Sequence, residues 1–179
     1  MIAIMVLMLA VVGPLSLASK GLQTTLISKD QETAYYLAQD AVEYVRWVRD
    51  TNKLRGNAWL AGLDGTANGH TNNGSAGGAC TASGGCIIDS LRDTTASCTG
   101  TCSVLNYDST NNYFTYNAVG SGVVASFFTR TVNIVTPVGI NDCTVGRGCE
   151  ASVKVTITWS DQGSVQRKIV VSENLYDWQ

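Results

Sequence analysis

The chain opens with an uncharged apolar run, Met1-Ile-Ala-Ile-Met-Val-Leu-Met-Leu-Ala-Val-Val-Gly-Pro-Leu-Ser-Leu-Ala18. As a helix this run would be about 27 Å long, close to the thickness of a bilayer core. It lacks the basic segment that precedes the apolar part of a cleaved signal peptide, which favours a retained stalk or a plain membrane anchor. Gly13 and Pro14 interrupt the run. Because Pro14 cannot donate to the carbonyl of Ala10, we expect a kink or a short unwound stretch there, with loss of regular helix in the assembled filament.

The helical pattern continues after the apolar run. Its apolar residues recur at intervals of three, four and seven, which marks one helix face. They are Leu22, Leu26, Ile27, Leu37, Ala41, Tyr44, Val45 and Val48. Asn52 and Gly56 are typical of a helix end. The sequence therefore predicts one helix from residue 1 to about residue 53. A helix of about 80 Å cannot bury itself in one small domain, so lipid or other copies of the chain must cover its N-terminal half.

The remaining sequence predicts an α+β fold with a small antiparallel sheet packed on the helix. Residues 56–112 are rich in Gly, Asn, Ser and Thr and predict a long irregular loop stapled by disulfides. From Tyr113 the apolar period changes to two, most clearly in Ser152–Trp159, and Ser164–Val171 is predicted as its partner strand. The resulting divisions are an apolar stalk (1–20), an amphipathic helix (21–55), the polar loop (56–112) and the sheet (113–179).

Six cysteines fall in three close pairs in a chain of 179 residues. An even number of cysteines in a Gly- and Ser-rich sequence indicates disulfides and an oxidising compartment. The clustering favours the local pairs Cys80–Cys86, Cys98–Cys102 and Cys143–Cys149, although longer links are also compatible with the count. A zinc site is a weak alternative, because the C-x5-C spacing is unusual for it and His70 is the only histidine.

Composition argues against two classes of function. A net charge of −2 provides no basic surplus for binding nucleic acid. The sequence gives little support to an enzymatic function. His70 lies in a Gly/Asn loop, and the Gly-rich segment 74–85 lacks the Gly-Lys-Ser/Thr ending of a phosphate-binding loop. We expect Asp89, Asp93 and Asp108 to be solvated loop carboxylates. The tryptophans are expected to be core or interface residues rather than sugar-stacking platforms; they are Trp47, Trp59, Trp159 and Trp178.

The order of these features resembles the type IV pilins and their pseudopilin relatives. The resemblance is carried by the stalk Met1–Ala18 with its Gly13-Pro14 break, by Ala34-Tyr-Tyr-Leu-Ala-Gln-Asp-Ala-Val-Glu-Tyr-Val-Arg-Trp-Val-Arg-Asp-Thr-Asn52, and by the ending Leu175-Tyr-Asp-Trp178. One departure is that the family's mature N-terminus is a methylated aromatic residue followed shortly by a glutamate, whereas this chain starts with Met1. We therefore expect a few residues to precede Met1 in the complete protein.

The resemblance implies a structural subunit of an extracellular filament that is anchored in the inner membrane before assembly. Its partners would be copies of itself, the pilus assembly machinery and a prepilin peptidase, with no cofactor and no metal. The stalk residues that would polymerise are Ile2, Ile4, Val6, Leu7, Leu9, Val11, Val12, Leu15 and Leu17. Burying the dozen or so large apolar side chains of the whole stalk, methionines included, at roughly 1.5 kcal/mol each would outweigh the cost of association.

Two alternatives remain open at this stage. The chain could be a minor pilin or a secretion-system pseudopilin, which would share the fold. It could also be a monomeric, membrane-anchored surface domain that binds a glycan or another ligand. The hydroxyl-rich loop could additionally carry covalent sugar, since exposed Ser, Thr and Asn are the usual acceptors. The candidate acceptors are Asn73, Thr94, Thr95, Ser97, Thr99, Thr101, Ser109 and Thr110.

Overall fold

A computed structural model describes residues 2–67, 69, 71, 76–136, 150–161 and 165–177, with side chains from Pro14 onward. The fold is α+β, with one long N-terminal helix packed on an antiparallel sheet, as the sequence predicts. The chain divides into two compact units, Met1–Thr33 and Ala34–Gln179. The described part of the first unit is helical, whereas the second unit contains the rest of the helix and all the described strands.

Helix α1 spans Ile2–Leu54 and runs through Pro14, so the single chain has no unwound stretch at Gly13-Pro14. The loss of helix expected in the assembled filament stays a prediction. A proline removes one backbone hydrogen bond, and the helix continues with the bonds on either side of it. The C-terminal end agrees with the prediction. Gly56 adopts a positive φ of 73°, its N–H donates to the carbonyl of Lys53, and the N–H of Asn57 donates to the carbonyl of Asn52. These two bonds form a Schellman motif that stops the helix.

The second half of α1 forms one side of the hydrophobic core. Its buried positions repeat at intervals of three and four, which is the period of a helix face. They are Ala34, Leu37, Ala38, Ala41, Val42, Tyr44, Val45 and Val48. Trp59, Leu60 and Leu63 of the following segment extend the same core.

Among the residues that the structure describes, the sheet has seven strands in an antiparallel arrangement. The strands are β1 (Cys86–Asp89), β2 (Thr94–Ser97), β3 (Val104–Asp108), β4 (Tyr113–Thr115), β5 (Val123–Val135), β6 (Glu150–Ser160) and β7 (Gln166–Tyr176). The long strand β5 pairs with β6 along one edge, and with β3 and β1 along the other. Strand β7 pairs with β6 over its whole length and completes the predicted C-terminal hairpin.

The alternation predicted for Ser152–Trp159 is confirmed, because Val153, Val155, Ile157 and Trp159 are all buried. The sheet also extends beyond the predicted region. Strands β1, β2 and β3 lie within residues 56–112, which the sequence analysis expected to be an irregular loop. These strands are only four or five residues long, and their polar residues do not alternate cleanly with apolar ones, so their signal in the sequence is weak.

Two of the three predicted disulfides are confirmed, Cys80–Cys86 and Cys98–Cys102. The third pair, Cys143 and Cys149, lies outside the described residues. Cys80 also joins the sheet through its backbone, since its N–H donates to the carbonyl of Leu63 and its carbonyl accepts from the N–H of Ile134. The first disulfide therefore fixes the polar segment between α1 and β1 against the edge of β5.

Candidate functional site

The first unit of the chain presents large apolar side chains to solvent. Leu15, Leu17 and Leu22 are 70%, 72% and 69% exposed, and Leu26 is 47% exposed. Leu15 and Leu17 belong to the predicted polymerisation residues. The others in that set lie in helix α1, but their side chains fall outside those described. They are Ile2, Ile4, Val6, Leu7, Leu9, Val11 and Val12.

Leu15, Leu22 and Leu26 follow one another at intervals of seven and four, so they share one side of the helix. Lys29 continues the series one turn later and is exposed. We call this set the stalk face: Leu15, Leu22, Leu26 and Lys29. An exposed row of leucines ending in a cation is costly in water and is typical of a surface that something else covers.

The second half of α1 carries its own exposed apolar side chains on the side away from its buried positions. Tyr36 is 62% exposed, Trp47 is 45% exposed and Leu54 is 90% exposed. Intervals of eleven and seven place the three on one side of the helix, and exposed Asp50 lies beside them. We call this set the upper face: Tyr36, Trp47, Asp50 and Leu54. Trp47 also packs against Tyr44, with 5.7 Å between the ring centroids.

A buried arginine fixes α1 to the sheet in the second unit. The Arg130 side chain on β5 is only 2% exposed. Its Nη1 donates to the backbone carbonyl of Leu37 at 2.9 Å and to Asp40 Oδ2 at 2.6 Å, and its Nη2 donates to the carbonyl of Ile88. A buried guanidinium is tolerated when it is paired and hydrogen-bonded in this way. Arg130 thus joins the helix, β5 and β1 at one point.

The turn between β1 and β2 is attached to the same side of α1. Ser90 Oγ donates to both carboxylate oxygens of Asp40, at 2.9 and 3.0 Å. The Tyr44 hydroxyl donates to Asp93 Oδ1 at 2.8 Å. Burial of the phenol, followed by the hydrogen bond to Asp93, raises the pKa of Tyr44 far above its usual value. This tyrosine therefore stays protonated and keeps the turn in place.

Ion pairs hold strand β7 to another side of the helix. Arg46 forms a bidentate pair with Glu173, with Nε and Nη2 each within 2.7 Å of a carboxylate oxygen. The hydrogen bond to Glu173 raises the pKa of Arg46. Lys53 Nζ, about two turns further along α1, lies 2.8 Å from Asp177 Oδ1. The C-terminal part of β7 is thereby fixed to α1 at Glu173 and again just beyond the end of the strand.

Two of the loop carboxylates are not solvated, which corrects the expectation for Asp89 and Asp108. Asp89 is 4% exposed, and its Oδ2 accepts from the Thr115 hydroxyl and the N–H of Tyr116. Asp108 is 7% exposed. Its carboxylate accepts from the side chain and backbone of Asn111 and from the N–H of Thr110, and these bonds hold the pKa of Asp108 below its usual value. Both carboxylates organise backbone turns.

The structure distinguishes the candidate sugar acceptors by their exposure and their hydrogen bonds. Thr95 is 7% exposed and its hydroxyl donates to the carbonyl of Gly62. Ser97 and Ser109 are exposed but hydrogen-bonded, to the N–H of Ala79 and the carbonyl of Gly122. Thr99 and Thr101 are exposed within the ring closed by Cys98–Cys102. Thr94 is half-buried and Thr110 is exposed, whereas Asn73 lies outside the described residues.

The remaining chemical candidates do not come together. Within the described ranges, no three His, Cys, Asp or Glu side chains are arranged to hold a metal ion. His70 and Trp178 lie outside those ranges. Trp59 and Trp159 are core residues at 8% and 4% exposure, as expected, whereas Trp47 lies on the surface of α1.

Counting only residues that the structure describes, no helix combines the length and apolarity needed to cross a bilayer. No family model, curated protein or solved structure matches the chain.

Proposed function

We propose that this chain is a structural subunit of an extracellular, type IV pilus-like filament that polymerises through its N-terminal helix. The observation that supports this proposal most is the exposure of Leu15, Leu17 and Leu22 on a helical unit that buries none of them. About 1.5 kcal/mol or more would be gained for each such side chain covered by a neighbouring copy. One heterologous contact repeated without closure generates an open fibre.

The second unit supports the proposal in a different way. A head in which half of a long helix packs on an antiparallel sheet leaves the other half available for assembly, and the disulfides suit an oxidising, extracellular setting. Under this proposal the subunit is anchored in the inner membrane before assembly and is processed there by a prepilin peptidase. The pilus assembly machinery then adds it to the filament. A minor pilin or pseudopilin would use the same fold at a lower copy number.

Electron microscopy of material sheared from the source cells tests the proposal. We expect fibres in which this chain is the main component. Replacing Leu15 and Leu22 together by Asn should abolish them, whereas Leu91→Asn, which changes a 59% exposed leucine on the β1–β2 turn, should not. Cells that display the chain only as separate monomers would overturn the proposal and favour the ligand-binding surface domain. Fibres that contain it only in trace amounts would favour a minor pilin.

A further inference from the structure

The stalk face and the upper face match each other when one is shifted along the helix by three heptads. This shift places Leu15 opposite Tyr36, Leu26 opposite Trp47 and Lys29 opposite Asp50. Glu32 falls opposite Lys53 in the same register. All members of the first three pairs are exposed. Two apolar pairs and one pair of opposite charge therefore coincide on the exposed sides of two helical segments, whereas Lys53 of the fourth pair is only partly exposed.

We infer that the stalk face of one copy packs against the upper face of a second copy, with the two helices parallel and shifted by three heptads, or about 31 Å along the axis. We call this arrangement the Lys29–Asp50 register. The inference rests on the proposed function, since it names the surfaces through which the filament grows. Because the shift is a whole number of heptads, one side of each helix faces its neighbour throughout the contact.

Charge is the part of this match that selects the register. Apolar side chains pack in many registers, whereas opposite charges specify one and like charges disfavour others. The Asp50 side chain is 60% exposed even though it pairs with the adjacent Arg49, so it remains accessible to a lysine from another copy. Lys53 already pairs with Asp177, so the contact with Glu32 contributes less.

A shift of two heptads gives the nearest competing arrangement, which we call the Lys29–Glu43 register. It places Leu22 opposite Tyr36, but it also sets Leu26 against Asp40. Asp40 receives hydrogen bonds from Arg130 and Ser90, so it cannot turn away without breaking the contact between helix and sheet. Placing Leu26 there would press an apolar side chain onto this carboxylate. The Lys29–Asp50 register avoids that contact, although it leaves Leu22 beside Glu43.

Charge exchange in the full chain tests the register in isolated filaments. Lys29→Glu alone and Asp50→Lys alone should each raise the critical concentration for polymerisation about two- to fivefold, the range expected for an exposed ion pair. The double variant Lys29→Glu/Asp50→Lys should return it to the wild-type value. The matched control, Lys29→Glu/Glu43→Lys, should not. The single-variant effects should shrink at about 1 M salt, where charges are screened within a few ångströms.

A charge variant could lose filaments because its subunit is less stable, which a lower melting temperature of the depolymerised subunit would reveal. Cross-linking is therefore a second, independent measurement of the register. Mixed filaments of Lys29→Cys and Asp50→Cys subunits should form cross-linked dimers with a short bismaleimide, while mixtures of Lys29→Cys and Glu43→Cys should give only the wild-type background. The opposite cross-linking result, or rescue by the Glu43 exchange, overturns the Lys29–Asp50 register. If filaments form normally with both the Asp50 and the Glu43 double variants, the Lys29–Asp50 register is overturned but the proposed function stands. If the wild-type chain never polymerises, the register and the proposed function are both overturned.

Discussion

The two halves of helix α1 differ in the size and the exposure of their apolar side chains. Before Thr33 the leucines are large and exposed, as in Leu15 and Leu22, whereas from Ala34 onward the inward positions are mostly alanine and valine and are buried. The second half also carries residues that bind the rest of the head through polar contacts, such as Asp40 and Tyr44. Under the proposed function, the first half of the helix would serve assembly, whereas the second half packs in the core of the second unit. Substitutions in the two halves should therefore fail in different assays.

The largest effect on folding is expected at Asp40. Asp40→Ala removes the carboxylate from Arg130, whose side chain is 2% exposed, and leaves a buried guanidinium hydrogen-bonded to the carbonyls of Leu37 and Ile88. We expect a loss of about 3 kcal/mol in the free energy of unfolding, at the low end for a broken buried pair because Asp40 itself is partly exposed. Chemical denaturation of depolymerised subunits measures it.

Glu43→Ala is the matched control on the same helix, since Glu43 pairs with Arg46 at the surface. It should change the free energy of unfolding by at most about 0.5 kcal/mol. Leu22→Asn should leave that free energy unchanged but reduce filament yield. A similar loss of folding stability in Asp40→Ala and Leu22→Asn would contradict the division of α1 into an assembly half and a folding half.

A comparable effect is expected for the first of the two described disulfides, and a smaller one for the second. Cys80 and Cys86 are both 0% exposed, whereas Cys98 is only half-buried. Replacing Cys80 and Cys86 by Ala should lower the free energy of unfolding by about 3 kcal/mol, and the same change at Cys98 and Cys102 by about 2 kcal/mol, because the first pair also fills the core. Under a water-soluble phosphine, mass spectrometry should show Cys98–Cys102 reduced first. Reduction of Cys80–Cys86 first would contradict the burial argument.

A smaller effect is expected from Tyr44 at alkaline pH. Its pKa is higher in the folded chain than the unfolded value of about 10, so the neutral phenol stabilises the fold fully below that pH. As the pH rises further, the unfolded state ionises first and that stability is lost. Tyr44→Phe should cost about 1 kcal/mol at neutral pH through the lost bond to Asp93, and it should flatten the alkaline decline.

Tyr35 provides the control for this pH dependence because it is a tyrosine of the same helix on the exposed side, at 51% exposure. Tyr35→Phe should leave both the neutral-pH stability and its alkaline decline as in the wild-type chain. Thermal melts from neutral pH to well above the ordinary phenol pKa compare the variants. An alkaline decline that is equally steep with and without the Tyr44 hydroxyl would show that other groups cause it.

Strong periodicity made part of this fold predictable. The strict alternation of Val153, Val155 and Ile157 identifies a strand and its buried face. The helical pattern identifies α1 and its buried positions from Leu37 onward, whereas Leu22 and Leu26 of the same predicted face are exposed. No unwound stretch interrupts the single chain at Gly13-Pro14, because one missing hydrogen bond does not end a helix with intact bonds on both sides. The loss of regular helix expected there in the assembled filament stays a prediction. Strands β1 to β3 were missed because runs such as Thr94-Thr-Ala-Ser97 owe their pairing to their tertiary surroundings rather than to their own pattern.

The burial of Arg130 could have been predicted from the sequence, although an analysis of apolar residues alone overlooks it. Phe128, Arg130 and Val132 are alternate residues of β5 and therefore share its inward face. The alternation of the strand thus places a charged residue in the core. Such a residue requires a carboxylate partner, and Asp40 lies one residue outside the buried face of α1. The alternation of the strand is therefore enough to predict that Arg130 is buried. It could not select Leu37 and Ile88 as carbonyl partners, since that choice depends on how the helix and β1 pack.

The smallest expected effect on stability concerns sugar on the polar segment. Thr99 and Thr101 lie exposed in the Cys98–Cys102 ring, whereas sugar on Thr95 would require breaking its bond to Gly62 and opening a buried site. We therefore expect O-linked glycan, where present, at Thr99 or Thr101 and not at Thr95. The free energy of unfolding should change by less than about 0.5 kcal/mol on its removal, because surface changes away from the core have little effect.

Intact-mass analysis of depolymerised subunits, with peptide mapping, measures the occupancy of these acceptors. Thr99→Ala/Thr101→Ala should remove the added mass. Thr95→Ala should retain it while costing about 1 kcal/mol through the lost hydrogen bond to Gly62, so the two variants separate modification from folding. A subunit mass equal to that of the bare polypeptide with its disulfides would show that the exposed loop is unmodified.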